Sequence, residues 1–355
     1  MYLVVANTHL SRDDAQDALS VGLIVEGLLG GFDTYNGVVH AYAFDVASTS
    51  LSRPVLFGFI DALSFVGFVL GAMIGKFTRY KVSYLFSIII AIINLVFIHA
   101  LLPESARQQR RSTPRRSMFK SIFSPIYVFF RGAQSFKYLP LFGLAFYVYS
   151  LSSATETSFL RFVESYNRLP GLPRWLLLTG PRMLDLVTLL YILPALALFW
   201  QRNRGSTCAA GLQLALTLSR HSILITAASC IVILVFCISM RTPTNNEPEL
   251  LCTLFASLYP LGAAIARPAL YALGSTAFAA AGHRGEIGVL FGALSVWGEF
   301  GMYTSYLLYT PNSTIFWFSA FFLVVTLMLL LPDSLPPLVQ GEEEGADGGL
   351  DSGVA

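Results

Sequence analysis

Acidic and histidine side chains recur at regular spacing inside the first long apolar stretch of the sequence. Glu26, Asp33 and His40 follow one another at intervals of seven residues. Seven residues are nearly two helical turns, so the three side chains share one face of a helix. A charged group at the centre of a bilayer costs roughly 2.5–3.5 kcal/mol on insertion scales, and such groups commonly belong to proton relays. The spacing therefore predicts a proton path or a face directed toward a substrate.

The alternative for these three residues places the ends of the row at the two membrane surfaces. Glu26 would then lie at the outer headgroups and His40 near the inner ones, which leaves only Asp33 buried. Gly37 shares the same face and is expected to leave room there for water or substrate.

Glu299 is a further candidate for proton coupling, because it lies in the middle of another apolar stretch. Ser295 and Tyr303 lie four residues to either side of it and so share its helix face. Arg267 also lies deep in an apolar stretch. It is predicted either to pair with an internal acid or to hold an anionic substrate.

Other charges in the apolar stretches have simpler interpretations. Arg182 and Asp185 are three residues apart, a spacing at which opposite charges pair on a helix, so a structural ion pair is predicted. Asp61 lies within two turns of one end of its stretch and is predicted to reach the membrane surface.

Apolar helices must position these residues. The chain has 355 residues, of which 55% are hydrophobic and 12% charged, whereas soluble domains average about 25% charged residues. A run of about 20 apolar residues spans a bilayer core as a helix, and residues 82–103, 221–240 and 300–332 contain no charge at all. We therefore predict an all-α, multi-pass transmembrane bundle. About nine spans are predicted, near residues 20–44, 54–75, 82–102, 138–159, 176–200, 221–240, 250–274, 286–309 and 313–332.

A basic segment divides the predicted spans into two groups. Residues 1–103 hold three spans, and residues 138–333 hold six. The intervening linker, 104–137, contains eight of the 23 Lys and Arg residues, which predicts a cytoplasmic loop. The acidic tail, 334–355, has nothing to bury and is predicted to be disordered. With this topology the C-terminus is cytoplasmic.

Sequence motifs of soluble enzymes are missing from the chain. It has no P-loop, no G-x-G-x-x-G after a strand, no G-x-S-x-G and no H-E-x-x-H, so no enzymatic activity and no cofactor are predicted. Its four cysteines form no C-x-x-C motif, and no metal site is predicted. The expected partners are a small-molecule substrate, protons and the lipid bilayer, and no nucleic acid.

Four glycines of the second apolar stretch have a specific spacing, G-x8-G-x3-G-A-x2-G, at Gly58, Gly67, Gly71 and Gly75. The last three are four residues apart, so they share a helix face that a neighbouring helix can approach closely. The whole pattern resembles the antiporter signature of the major facilitator superfamily, which has a proline where this chain has Ala72.

Two other segments are similar to the same family. Residues 27–59 resemble the fourth helix and following loop of tetracycline-resistance-like members, and "LLPES" at 101–105 resembles the close of the sixth helix. The resemblance implies a fungal multidrug-efflux-like transporter of the plasma or vacuolar membrane. It further implies proton-coupled antiport of a small organic molecule, with alternating access between two helical halves.

The resemblance covers helices four to twelve of a twelve-helix fold, so the first three helices of that fold have no counterpart here. The expectation is that the chain as given inserts into a membrane but does not transport. Two alternatives to efflux stay open. One is a proton-coupled importer of an organic anion, which Arg267 would suit; the other is a truncated membrane protein without transport activity.

Overall fold

A computed structural model of the chain describes residues 31–47, 52–77, 80–100, 124–131, 139–152, 182–205, 207–239, 248–308 and 314–330. Nearly all of these residues are helical, and none of them is in a strand. The prediction of an all-helical fold is therefore confirmed for the part of the chain that the structure describes.

Ten α-helices are numbered here in chain order. The first group comprises α1 (Gly31–Val46), α2 (Arg53–Phe77) and α3 (Tyr80–Ala100). The second comprises α4 (Ser124–Arg131), α5 (Leu139–Ser152), α6 (Arg182–Arg204), α7 (Cys208–Ser239), α8 (Pro248–Phe278), α9 (Ile287–Leu308) and α10 (Thr314–Leu329).

Three of the described helical segments are long and apolar enough to cross a membrane. They are Arg53–Gly71 in α2, Arg182–Arg204, which is α6, and Cys208–Val235 in α7. Shorter apolar segments lie in α3, α5 and α10. Helix α3 exposes large aliphatic side chains on several sides, among them Ile93, Leu95 and Val96. Soluble proteins rarely expose apolar surface of this extent.

The two groups of helices pack against each other around a common core. Within the second group, α7 and α8 form the most extensive contact, and α10 packs on both α7 and α5. Across the groups, α1 packs on α9, and α2 packs on α8 and on α6. The core between them is built from aromatic and aliphatic side chains such as Phe57, Phe146, Tyr271 and Phe291.

Irregular turns occur where the sequence disfavours a regular helix. In α6, Thr188–Ile192 is π-helical and ends two residues before Pro194. Proline lacks an N–H group, and a wider turn accommodates its ring. After α8, the turn Ala279–His283 contains Gly282 with φ 85°, a left-handed conformation that glycine adopts without strain. A 3₁₀ turn, Arg284–Glu286, then leads into α9.

Two boundaries differ from the sequence prediction. Residues 124–131, predicted as part of a solvated linker, form α4, because Val128 and Phe129 give that segment a side that it buries against α5 and α9. Helix α7 begins 13 residues before its predicted span. Arg220, predicted as a loop residue, lies inside it and donates two hydrogen bonds, of 2.9 and 2.6 Å, to the carbonyl of Leu330 at the end of α10.

The glycines of the antiporter-like pattern differ in their surroundings. A Cβ atom added at Gly58 would lie 2.5 Å from Leu193 Cδ2 of α6, so α2 and α6 approach closely there. At Gly67 and Gly71, no described atom lies within 4 Å of such a Cβ. The expected close approach of a neighbouring helix thus occurs at Gly58 and, among the described residues, not at Gly67 or Gly71. The surroundings of Gly75 lie outside the described part of the structure.

Helices α7 and α8 lie very close together at Gly262 of α8. A Cβ added at Gly262 would lie 2.8 Å from the carbonyl oxygen of Ser222 and 2.9 Å from the amide nitrogen of Thr226. Gly262→Ala should therefore lower the free energy of unfolding by about 1–3 kcal/mol, the usual cost of overpacking. Thermal unfolding in detergent measures this change.

Gly71→Ala is the matched control, since its added methyl group meets no described atom. Alanine favours a helix by about 1 kcal/mol over glycine, so this variant should be as stable as the parent or more stable. If Gly262→Ala unfolds at the same temperature as Gly71→Ala, the packing argument for α7 and α8 is wrong.

Candidate functional site

His40 is the centre of a buried polar group between the two sets of helices. It lies in the third turn of α1, and none of its surface is exposed. Its ring Nδ1 lies 2.7 Å from the backbone carbonyl oxygen of Asn36, one turn earlier. A carbonyl oxygen only accepts hydrogen bonds, so Nδ1 carries a hydrogen and donates it to Asn36.

Asp61 of α2 faces the other nitrogen of this ring. Its Oδ1 lies 3.7 Å from His40 Nε2, and the residue is only 7% exposed. The sequence prediction that Asp61 reaches the membrane surface is therefore wrong. Asp61 lies in the third turn of α2, and packing of α1 against α2 turns its carboxyl group inward, toward His40.

His40 Nε2 and Asp61 Oδ1 face each other at 3.7 Å, too far for a hydrogen bond, so their protonation decides whether they attract each other. With Nδ1 already protonated, Nε2 of a neutral ring offers a lone pair, and an ionised carboxylate offers only lone pairs as well. Two such atoms attract each other when one of them carries a proton, either as an imidazolium–carboxylate ion pair or as a neutral imidazole beside a carboxylic acid. Both groups exchange protons in water near neutral or mildly acidic pH. Their chemistry makes the pair a candidate for the uptake and release of a proton.

Aromatic rings surround the imidazole and separate it from solvent. The ring centroids of Tyr271 and Phe57 lie 4.7 and 5.0 Å from that of His40, and Phe291 follows at 6.1 Å. Phe146 stacks on Tyr271 at 5.6 Å. These rings come from α2, α5, α8 and α9, so the polar pair lies where both sets of helices meet.

Arg267 supplies a cationic group to the same region. It is partly buried on α8, and its guanidinium carbon lies 5.9 Å from the centroid of the Tyr271 ring, one turn further along. Among the described residues, Asp61 and Arg267 lie close enough for their charges to act on His40. An acid, a base and a cation therefore face one aromatic cluster, which will be called the His40 cluster: His40, Asp61, Arg267, Tyr271, Phe57 and Phe291.

Comparison of the sequence with models of known protein families and with characterised proteins finds no match.

The residues predicted from the sequence fall in different places. His40 and Arg267 belong to the cluster. Asp33 lies in the first turn of α1, and only its backbone is described; Glu26 lies outside the described residues. Glu299 is partly buried on α9, eight residues after Phe291, which places it about 12 Å further along that helix. Of the three residues predicted to share one helix face, only His40 has a described side chain.

Gly37 does not leave the space that the sequence suggested. A Cβ at this position would collide with Ser295 Oγ and lie 3.1 Å from the carbonyl oxygen of Phe291. Gly37 instead allows α1 to lie directly against α9. This close approach brings Phe291 within reach of the His40 ring.

The sequence prediction missed Asp61 as a partner of His40 and missed the aromatic residues around both. A signal for Asp61 was present, since it is the only charged residue between Arg53 and Lys76. A lone carboxyl group in such a stretch is costly unless it has a partner. By contrast, the predicted pair of Arg182 and Asp185 is confirmed, with 3.3 Å between Nη1 and Oδ2.

Proposed function

We propose that the chain is a multi-pass membrane protein that acts as a secondary transporter of a small organic molecule, coupled to protons. The exposed aliphatic side chains of α3 and the three helices of membrane-spanning length support its place in a bilayer. The nine-span arrangement and the resemblance to the major facilitator superfamily are parts of the same proposal. In this proposal the energy comes from a proton gradient. It stands against the sequence expectation that the chain as given inserts without transporting, which a lack of proton movement in the liposome experiment would support.

The observation that carries the proposal is the His40–Asp61 pair. It can hold a proton, it is buried, and it lies between helices of the first and second groups. A small movement of the second group of helices relative to the first would change the access of water to the pair and the distance from the pair to Arg267 of α8. Such a movement alters the affinity of buried groups for protons, since burial and nearby charges both act on the charged form. That dependence is what coupling to a proton gradient requires.

A particular substrate class is favoured by Arg267. Its guanidinium group lies beside an aromatic cluster and next to the proton-carrying pair. Arginine binds carboxylates in a planar, bidentate geometry, and rings stack on aromatic side chains. An aromatic organic anion, moved together with or against a proton, is therefore the second form of the proposal, beside efflux of a neutral or cationic compound.

Proton movement in liposomes tests the transport proposal. The purified chain is reconstituted with a pH-sensitive dye inside, a pH gradient is imposed, and aromatic carboxylates and aromatic amines are added one at a time. A transported compound should change the internal pH faster than in protein-free liposomes. His40→Gln should abolish that change, because glutamine cannot bind the exchanged proton at neutral pH.

His221→Gln is the matched control for this experiment. The His221 ring makes the same local contact, with Nδ1 2.8 Å from the carbonyl oxygen of Thr217, but it lies exposed on α7. Its replacement should leave the proton movement unchanged. If no compound of either class moves protons, or if both histidine variants behave alike, the proposal is contradicted.

A further inference from the structure

Arg53 is a buried cation whose charge has no described acid as partner. It begins α2 and is 7% exposed. Its Nη1 donates to Thr276 Oγ1 of α8 at 3.2 Å, and its guanidinium carbon lies 4.0 Å over the ring of Phe44 of α1. Within the described part of the chain, no carboxylate forms an ion pair with it.

The hydrogen-bonding capacity of this guanidinium is largely unused. A guanidinium has five N–H donors, and the bond to Thr276 takes one of them. The Nε atom is buried and has no acceptor among the described residues. Burial of a charge that lacks a counter-charge and hydrogen bonds is costly. An acceptor with negative charge would remove that cost.

A second cation adds to the attraction for an anion. Arg284, in the turn between α8 and α9, lies close enough for its charge to act on Arg53, as does the side chain of Cys208 at the start of α7. Like charges repel each other. An anion bound beside both arginines would attract each of them and so offset this repulsion. The turn is open to solvent, since Arg284 and Gly285 are exposed. The positive end of the α2 dipole also lies at Arg53.

We propose that Arg53, with Arg284 beside it, binds a phosphate oxyanion at this end of the bundle. Two sources can supply it: the headgroup of an anionic phospholipid, or a free phosphate ion. Arg53 is the first residue of a helix long and apolar enough to span a membrane, which places it at the level of headgroup phosphates if α2 spans. Because Arg53 joins α1, α2 and α8, the bound anion stabilises the contact between the two groups of helices. The site shares no residue with the His40 cluster, which lies about one turn further along α2. It requires insertion of α2 but no transport activity.

Thermal unfolding of the purified full chain in a neutral detergent tests the site. Phosphatidylglycerol is added in one series and phosphatidylcholine in a second; sodium phosphate is compared with sodium chloride at equal ionic strength in a third. We expect phosphatidylglycerol to raise the unfolding temperature by about 3 °C or more over phosphatidylcholine. Arg53→Gln should lose that difference, and Arg202→Gln, an exposed arginine of α6, should keep it.

The three series distinguish a lipid ligand from a free phosphate ion, and both from the absence of a site. A shift produced by sodium phosphate alone, and lost in Arg53→Gln, supports the site with the free ion as its ligand. No shift with either ligand, or an equal shift in the parent and Arg53→Gln, overturns the proposal. If Arg53→Gln does not fold, the exposed Arg284→Gln decides: the shift should fall by half or more, and an unchanged shift overturns the proposal. Absence of transport in the liposome experiment leaves these outcomes unaffected.

Discussion

Asp61→Asn should abolish proton-driven accumulation of the substrate, reducing it to the level of protein-free liposomes. Asparagine keeps the size of aspartate, and its amide can donate a hydrogen bond to the bare Nε2 of His40. The packing around the pair should therefore survive, and substrate binding should persist. The amide cannot exchange a proton, however, so the pair loses the ability to couple movement to a gradient. Uptake in liposomes with and without a pH gradient measures this difference.

Asp45→Asn is the control for this prediction. Asp45 lies on α1, five residues after His40, but its side chain is exposed, so its replacement should leave accumulation unchanged. Asp33→Asn distinguishes the site predicted from the sequence from the site in the structure. If Asp33→Asn abolishes accumulation and Asp61→Asn does not, then Asp33 is the coupling acid and the His40–Asp61 pair has a structural role.

A measurement on the imidazole itself needs no substrate. The chain has five histidines, so nitrogen NMR of protein labelled at histidine gives few signals, and the missing signal in His40→Gln identifies His40. Asp61→Asn should change the pH dependence of that signal and leave the signal of the exposed His221 unchanged. Equal titration of His40 in the parent and in Asp61→Asn would show that the two groups do not share a proton.

The helical framework could be predicted from the sequence because its signals are local. Charge-free runs of about 20 residues in a chain with 12% charged residues require helices that satisfy their own backbone hydrogen bonds. The Arg182–Asp185 pair was also predictable, since both partners lie one turn apart on the same helix. The start of α7 was not, because Arg220 interrupts the apolar run. Its cost inside the bundle is offset by the carbonyl of Leu330, 110 residues away in the sequence.

The His40 cluster was only partly predictable, for a related reason. Periodicity assigns a residue to a face of its own helix, but it does not identify the helix that this face meets. The spacing of seven placed His40 with Asp33 and Glu26, whereas the described contacts of its ring come from α2, α8 and α9. Tyr271 lies more than 200 residues from His40, and nothing in the local sequence marks it as a neighbour.

Glycine spacing shows the same limit. Gly58, Gly67 and Gly71 match one sequence pattern, but among these three only Gly58 has a described neighbour within 4 Å of an added Cβ. Gly37 and Gly262, which belong to no recognised pattern, lie at two of the closest helix contacts. Small residues permit close approach, but the partner helix determines which of them make it.

Arg267 should determine whether the site prefers organic anions. If the substrate is an organic anion, Arg267→Gln should weaken its binding by about 10- to 100-fold, since hydrogen bonds to charged groups are worth about 1.5–3 kcal/mol. Arg267→Lys should recover only part of this loss, because lysine keeps the charge but lacks the planar fork that binds a carboxylate and stacks on Tyr271. Binding of aromatic carboxylates and aromatic amines to the three proteins, measured by calorimetry, tests this prediction.

Arg204→Gln provides a closely matched control, because its guanidinium carbon lies 5.8 Å over the ring of Trp200, compared with 5.9 Å between Arg267 and Tyr271. Arg204 is exposed at the end of α6, so water screens its charge, and the loss of this arginine should leave binding unchanged. Weaker binding of carboxylates in Arg267→Gln alone, with amine binding unchanged or tighter, would support an anionic substrate. If amines bind to the parent and carboxylates do not, whatever residue is at 267, the organic-anion form is wrong and the cluster serves a neutral or cationic compound.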